Sequence, residues 1–416
     1  MSELKSNPTT IVCLATYFKG GDFIRECKRL GCRVILITKE KMLQEDWPRE
    51  SLDDLIAVPN EAGPALMIDL VAFISRQIQV DCVVALEEFD VMTAALVREH
   101  FCLPGMSSST AKTFRDKFRM AETAKAAGIL LPEYVPLINA DVVREFMTRV
   151  PPPWIVKPRS DVSAIGIRKL NTADEVWNLM KEMNERENLR ERASYYLLAQ
   201  FVAGEVFHVD SLVANNRVVF AGVNRYGRPP LEVAHGGGAY VSRTVSHRSN
   251  DEKELLKINR ALVKALKRER GAAHAEFIKS DADGRFYFLE IAARVGGAYI
   301  ADVLEAASGL NLWREWARME VADARQHSDG QAAAQKSIKP LRNEYAGIVL
   351  SLSKQEEPDT SPYDDAEIVY RVKKLHHAGL IVRSKKLERV EELLTQYAKR
   401  FADDFVAVVP PLEKAE

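Results

Sequence analysis

The stretch HAEFIKSDADGRFYFLEIAARVGG, residues 274–297, narrows what this chain can fold into more than any other. Two apolar runs, 275–279 and 285–291, flank an Asp-Gly turn, the strongest short-range cue for a β-hairpin. With the hairpin centred on Asp283, Glu276 faces Glu290. Strand alternation then puts both carboxylates on one face with His274, Ile278, Phe286 and Phe288, and turns Phe277, Leu289 and Ile291 to the other. Two like charges directly opposed destabilise a strand pair. A hard divalent cation with oxygen ligands resolves the conflict; the alternative is a solvated polar face.

Composition narrows the partners. The 416 residues suggest two or three domains, and a hydrophobic share of 47% is enough to fill their cores. A net charge of −1 gives no electrostatic footing for nucleic acid or an anionic membrane surface. The first ten residues are polar, and no run approaches the ~20 apolar residues that span a bilayer. The expectation is a soluble cytoplasmic protein. The five cysteines (Cys13, Cys27, Cys32, Cys82, Cys102) show no CxxC spacing and read as reduced packing residues, not as a disulfide frame or zinc site.

The opening segment alternates apolar runs with amphipathic helices: IVCLAT, FIRECKRLG, CRVILIT, LIAVP, a helix over 62–79, and DCVVAL. This predicts α/β architecture with a parallel sheet covered on both faces. Ligands of such sheets sit beyond the carboxyl ends of the strands, where Tyr17, Lys19, Gly20 and Gly21 follow the first strand and Glu87-Glu88 the fourth. YFKGG is not GxGxxG, which favours a structural platform over a dinucleotide site. Pro104-Gly105 and SSST mark a boundary and a helix cap, with one helix expected over 111–128. A second α/β unit follows, then a basic turn-rich loop over 225–247, a helix over 251–270 and the glutamate hairpin. The polar stretch 323–337 reads as a linker or exposed loop. The expected organisation is a Rossmann-like domain at 1–108, a two-lobed domain at 109–322 whose lid lobe covers about 130–203, and a small α+β module at 323–416.

Taken in order, RDKF with Lys117, WIVKP with Lys157, a Ser/Gly loop, AQFVAGE, AEFI and FLEIAARVGG resemble the ATP-grasp superfamily, in the branch near the carboxylate–amine (amino acid and peptide) ligases. The likeness spans roughly 109–310; each piece is weak and the ordered set is specific. The residues support it independently. Lys157 emerges from a buried run just ahead of RSDVSAIG, where Ser160, Ser163 and Gly166 can close over a polyphosphate. Lys117 by itself reads equally as a solvated helix lysine. The resemblance implies that Lys117 and Lys157 contact the nucleotide phosphates and that Gln200, Phe201 and Val202 form the adenine-binding hinge. It implies that Glu276 and Glu290 hold one or two Mg²⁺ or Mn²⁺ ions against the β- and γ-phosphates. It offers Glu205 as a ribose ligand, although the family's acid often falls one residue later, at Val206. Arg294 matches the arginine that acts on the transferred phosphoryl group or the substrate carboxylate. Gly296 and Gly297 then open a helix whose amides can hold an anion.

Two positions depart from the family pattern. Gln200 stands where an acid is frequent, and Ala292 stands where an asparagine commonly adds a metal ligand, so water or substrate oxygen must complete the shell or a second metal binds weakly. Acceptor specificity is expected from the 225–247 loop, with His235, Gly236, Gly237 and Arg243 as candidates; a plain surface loop is the alternative. The implied reaction activates a carboxylate with ATP to an acyl phosphate, which an amine attacks to give an amide or peptide bond, ADP and phosphate. Lys157 and Arg294 are the catalytic groups in that scheme, the partners are a small carboxylate and an amine, and a homodimer is the family's habit. The alternatives are a biotin-carboxylase-like carboxylation and a non-catalytic nucleotide-binding protein, the latter suggested by Ala292 and the altered hinge.

Overall fold

The computed structural model of the chain describes residues 8–161, 165–329 and 337–407, with the backbone alone at 234–235 and 327–329. Ser163 lies outside the described residues, and of His235 only the backbone is described. Strands β1 (Thr10–Leu14), β2 (Arg33–Lys39), β3 (Asp54–Val58) and β4 (Cys82–Ala85) form a parallel sheet in the order β3-β2-β1-β4. Every residue of β1 and β4 is buried, as the unbroken apolar runs require when helices cover both faces.

A small antiparallel sheet joins β5 (Tyr134–Pro136), β6 (Trp154–Pro158), β7 (Arg168–Leu170) and β8 (Tyr196–Gln200) in the order β5-β8-β6-β7. Its core, built from Phe146, Trp154, Val156, Val176 and Leu198, is a cluster of its own. The large sheet contains β9 (Gly204–Ala214), β10 (Arg217–Tyr226), β11 (Tyr240–Thr244), β12 (Arg270–Ser280), β13 (Phe286–Ala292), β14 (Tyr345–Leu352), β15 (Ile368–Arg371) and β16 (His377–Ser384). Their order is β13-β12-β9-β10-β11-β14-β16-β15. The last three strands therefore extend the sheet that carries the glutamates. Val12 and Val83 of the first sheet share one apolar cluster with Phe207, Val209 and Ala275 of the large sheet. The fold is mixed α/β, as expected, and no helix among the described residues is long and apolar enough to cross a membrane.

Several local expectations change. The helix expected over 111–128 is two helices, Ser108–Arg115 and Lys117–Ala126, separated by an extended Asp116. The basic loop contains a short helix, Pro230–Gly236, and the polar stretch from 323 is helical as far as Asp329. In the hairpin, Glu276 pairs with Glu290 as expected, but a bulge shifts the register so that Phe277 pairs with Phe288 and Lys279 with Phe286. Phe286 and Phe288 consequently join Phe207 and Phe277 in the core, while Leu289 packs near Ile278 and Tyr287. One extra residue on β13 reconciles a polar acid face with a full aromatic core behind it.

Gly204, where the small sheet hands over to β9, is pressed against β12: a Cβ there would lie 1.9 Å from the Lys279 carbonyl oxygen. Gly204→Ala is expected to cost about 2–3 kcal/mol in chemical denaturation. Gly63→Ala, where a Cβ meets nothing within 4 Å, is expected to stay within about 0.5 kcal/mol of the parent.

Candidate active site

Lys117 reaches the acids because the chain breaks at Asp116. That residue caps the second helix, accepting from the Phe118 amide at 3.0 Å. Its two oxygens also hold Arg159, at 3.1 Å from Nε and 2.6 Å from Nη2, and the Lys117 amide donates to the Arg159 carbonyl at 2.7 Å. A helix N-terminus is thus fastened to the segment just beyond Lys157. Lys117 Nζ donates to the Asp161 carbonyl at 2.8 Å and lies 3.1 Å from Glu290 Oε2.

Strand alternation on β6 buries Trp154, Val156 and Pro158 and turns Lys157 the other way, toward the acids. Burial pushes the Lys157 ammonium down to a pKa of about 8; Glu290 and Glu276 pull it up and Lys117 presses it down. At neutral pH it still carries its charge. No hydrogen bond or ion pair engages that charge among the described residues.

Glu276 and Glu290 project from adjacent strands at one register position. Glu276 Oε1 accepts from the Tyr226 hydroxyl at 2.6 Å and lies 3.4 Å from His274 Nε2. Burial opposes its charge, but His274 and Tyr226 hold the carboxyl below its usual range. Oε2 of Glu276 and Oε1 of Glu290 accept no hydrogen bond from any described residue. Two facing carboxylates, each with an uncommitted oxygen, are a donor set that fits a hard cation such as Mg²⁺ or Mn²⁺. Ala292, directly across from His274, brings no donor.

Arg294 follows β13 and crosses to the first sheet. Its Nε lies 3.1 Å from Glu88 Oε2 and 4.0 Å from Glu87 Oε1, and Nη1 donates to the Val295 carbonyl at 2.8 Å. Burial works against its charge, yet Glu88, Glu87, Glu290 and Glu276 together raise its pKa. Arg115 holds the other Glu88 oxygen at 2.8 Å, and Lys19 lies 2.6 Å from Glu87 Oε2. Burial pushes Glu88 up, but Arg115 and Arg294 bring it below its usual value. The loop after β1 and the acids after β4, placed by the sequence at the ligand end of the first sheet, therefore back Arg294.

The remaining candidates scatter. Gln200 closes β8, its amide donating to the Glu133 carbonyl at 2.7 Å. Lys169 Nζ stands 3.9 Å from the Phe201 ring centre, and Val202 packs with Ile278 and Leu289. These three run from the end of the small sheet toward β9. Ser160 is exposed, and Gly166 adopts φ 70 against Pro158. Glu205 is paired with Arg225, and Arg243 with Glu391 of the C-terminal helix, so neither stands free. Gly236 ends the short helix and Gly237 follows it.

Sequence reasoning missed a buried chain behind Glu276. Asp210 on β9 holds two histidines: Oδ1 lies 2.8 Å from His274 Nδ1 and Oδ2 lies 2.5 Å from His208 Nδ1, while His208 Nε2 meets Ser242 Oγ at 2.7 Å. Burial disfavours the Asp210 charge, but both histidines hold its pKa well below the carboxylate range. Burial lowers His274 while Asp210 and Glu276 raise it, to about 10. The signal was present: in EVFHVDSLVA, His208 and Asp210 stand two apart in a buried strand, on one face.

Two family models match the chain, the ATP-grasp N-terminal domain over residues 24–105 and the ATP-grasp domain over 150–302. The L-arginine-specific L-amino acid ligase of Bacillus subtilis is 23% identical over 235 residues; the match spans 56% of this chain and 56% of that relative's length. An L-amino acid ligase structure from Bacillus licheniformis superposes with a TM-score of 0.71 at 16% identity, covering 97% of this chain and 99% of the other. The biotin carboxylase domain of Hydrogenobacter thermophilus 2-oxoglutarate carboxylase, with MgADP and bicarbonate, gives 0.71 at 16%, covering 94% and 89%.

The depressed lysine is measurable. After reductive ¹³C-methylation, a dimethylamine resonance titrating near pH 8, cationic below and neutral above, is expected in NMR spectra and should disappear in Lys157→Met. A full set of lysines titrating near 10 would contradict the burial described here.

Proposed function

Because the chain belongs to the ATP-grasp superfamily, we propose that it is an ATP-dependent carboxylate–amine ligase joining a small carboxylic acid to an amine through an acyl phosphate. The observation that carries the reading is the gathering of opposite charges. Lys117 lies 3.1 Å from Glu290, the charges of Glu276 and Glu290 act on both Lys157 and Arg294, and Glu87 and Glu88 back Arg294. Lysine ammonium groups suit phosphate oxygens, and a guanidinium suits a planar carboxylate or a phosphoryl group in flight.

In this reading the side chains of 200–202 receive the adenine, and Lys117 and Lys157 receive the phosphates. When bound, Mg²⁺ at Glu276 and Glu290 neutralises charge on the β- and γ-phosphates. Arg294 orients the substrate carboxylate so that one of its oxygens attacks the γ-phosphorus in line, breaking the bond to the ADP oxygen. The amine then adds to the acyl carbon, phosphate leaves, and the amine gives up a proton. Little covalent chemistry falls to the protein, since phosphoryl transfer is served mainly by positioning and charge. The hydroxyl of Ser160 and the turn at Gly166 belong to the loop that would cover the phosphates. The strand and helix that present Gly236, Gly237 and Arg243 would face the acceptor, and Glu205 the ribose.

The biotin-carboxylase likeness supports a second reading, in which bicarbonate is the activated acid. Coupled ADP release with Mg²⁺ separates the two. Turnover is expected with amino acids offered singly and in pairs, with an amide or dipeptide product by mass spectrometry. Release that responds only to bicarbonate would select the second reading. Glu290→Gln and Lys157→Met are each expected to lower turnover about 100-fold or more with unchanged circular dichroism. Undiminished turnover in both would remove the proposed site.

A further inference from the structure

We infer that His274 is a third ligand of the cation held by Glu276 and Glu290, binding through Nε2 on the face where Ala292 has nothing to offer. The inference rests on the cation reading above and adds a nitrogen donor to it. Register is the first observation. His274 pairs with Ala292, two residues along each strand from the Glu276–Glu290 pair, so its side chain projects from the face that carries the two acids.

Distance is the second. His274 Nε2 lies 3.4 Å from Glu276 Oε1. Neighbouring ligand atoms bound at ~2.1 Å to one ion stand ~3 Å apart, so the two atoms are already near the spacing a shared ion imposes.

The third observation is the carboxylate behind the ring. Asp210 is fully buried and accepts from Nδ1 of both His274 and His208. The Nδ1 proton is thereby assigned, and Nε2 of His274 is the ring atom turned toward Glu276. A carboxylate on the far nitrogen is the arrangement that orients metal-bound imidazoles. His208, Asp210 and His274 do not themselves make a cation site, because both Asp210 oxygens are taken by ring nitrogens. Their hydrogen bonds are closed except at His274 Nε2, where a metal would displace the ring proton, released to solvent, and with it the contact to Glu276. The loop after Arg294 leaves room for this pair: a Cβ at Gly296 would come within 2.9 Å of both Asp210 Oδ1 and His274 Nδ1.

A nitrogen donor beside two carboxylates changes metal choice. Imidazole favours Mn²⁺, Co²⁺ and Zn²⁺ over Mg²⁺, which prefers an all-oxygen shell. Replacing an asparagine oxygen by a histidine nitrogen should therefore tilt this chain toward manganese.

The test uses the full chain with ¹⁵N-histidine, Mn²⁺ and the unlabelled β,γ-methylene analogue of ATP, read by pulsed electron paramagnetic resonance. The expected result is a directly bound ¹⁵N coupling that disappears in His274→Gln, with Mn²⁺ binding weakened about tenfold or more. Adding Ala292→Asn to His274→Gln should restore Mn²⁺ and Mg²⁺ binding without restoring the coupling. Tight Mn²⁺ binding in the parent chain with no ¹⁵N coupling overturns the inference and leaves the ATP reading standing. No Mn²⁺ binding with the nucleotide analogue removes the ATP reading itself.

Discussion

Everything in the candidate site depends on holding two glutamates face to face on a partly buried sheet. Opposed carboxylates repel, and taking them from water adds a further cost. The chain meets this with near neighbours of opposite sign or with donors: Lys117 at Glu290, Tyr226 and His274 at Glu276, and Lys157 close enough for both acids to raise its pKa. The bulge on β13 belongs to the same solution. Without it, strict alternation would have put Phe286 and Phe288 beside the acids and Leu289 in the core; with it, the aromatic rings fill the core and the carboxylates keep their pairing.

The first sheet contributes charge where the large sheet needs it. Glu87 and Glu88 leave the end of β4 buried and would be unstable alone, and Arg294, only partly exposed, follows β13. Each makes the other tolerable, and Lys19 and Arg115 take the remaining acid oxygens. Breaking such a network at one member leaves an uncompensated buried charge, which is costlier than never having built it. The network also fixes the angle at which Arg294 is presented, because its guanidinium is gripped by a carboxylate on one edge and by the Val295 carbonyl on another.

Much of this was legible in the sequence, for identifiable reasons. The parallel first sheet follows from apolar runs alternating with helices, and the Glu276–Glu290 pairing from the turn at Asp283 and a period of two. Periodicity could not reveal the bulge, since an extra residue leaves composition unchanged and shows only when both partner strands are placed. The break at Asp116 was hidden for a similar reason: RDKFRMAETAKA has good helix formers throughout, and only the bidentate Arg159, 43 positions later, draws the aspartate out of the helix. Arg243 was assigned to an acceptor loop from local sequence alone, whereas its partner Glu391 lies in the last helix. What sequence reasoning loses are contacts between segments far apart in the chain, and these decide which charged groups remain available.

Availability separates Lys157 from the other cations of the site. Lys117, Lys19, Arg115 and Arg294 each have a carboxylate within 4 Å, so their charge is largely spent within the protein. Lys157 has no such contact among the described residues, and burial has lowered its pKa. A group in that condition gains most from an incoming polyanion: the anion supplies the partner that the fold withholds, and the lysine's affinity for its proton rises as the anion binds. On the proposed function, the unfavourable burial of that charge would thus be relieved by a phosphate chain. The strand that presents Lys157 belongs to the small sheet with its own core, so on the proposed function the same attraction would draw that sheet toward the acids of the large one, coupling binding to closure.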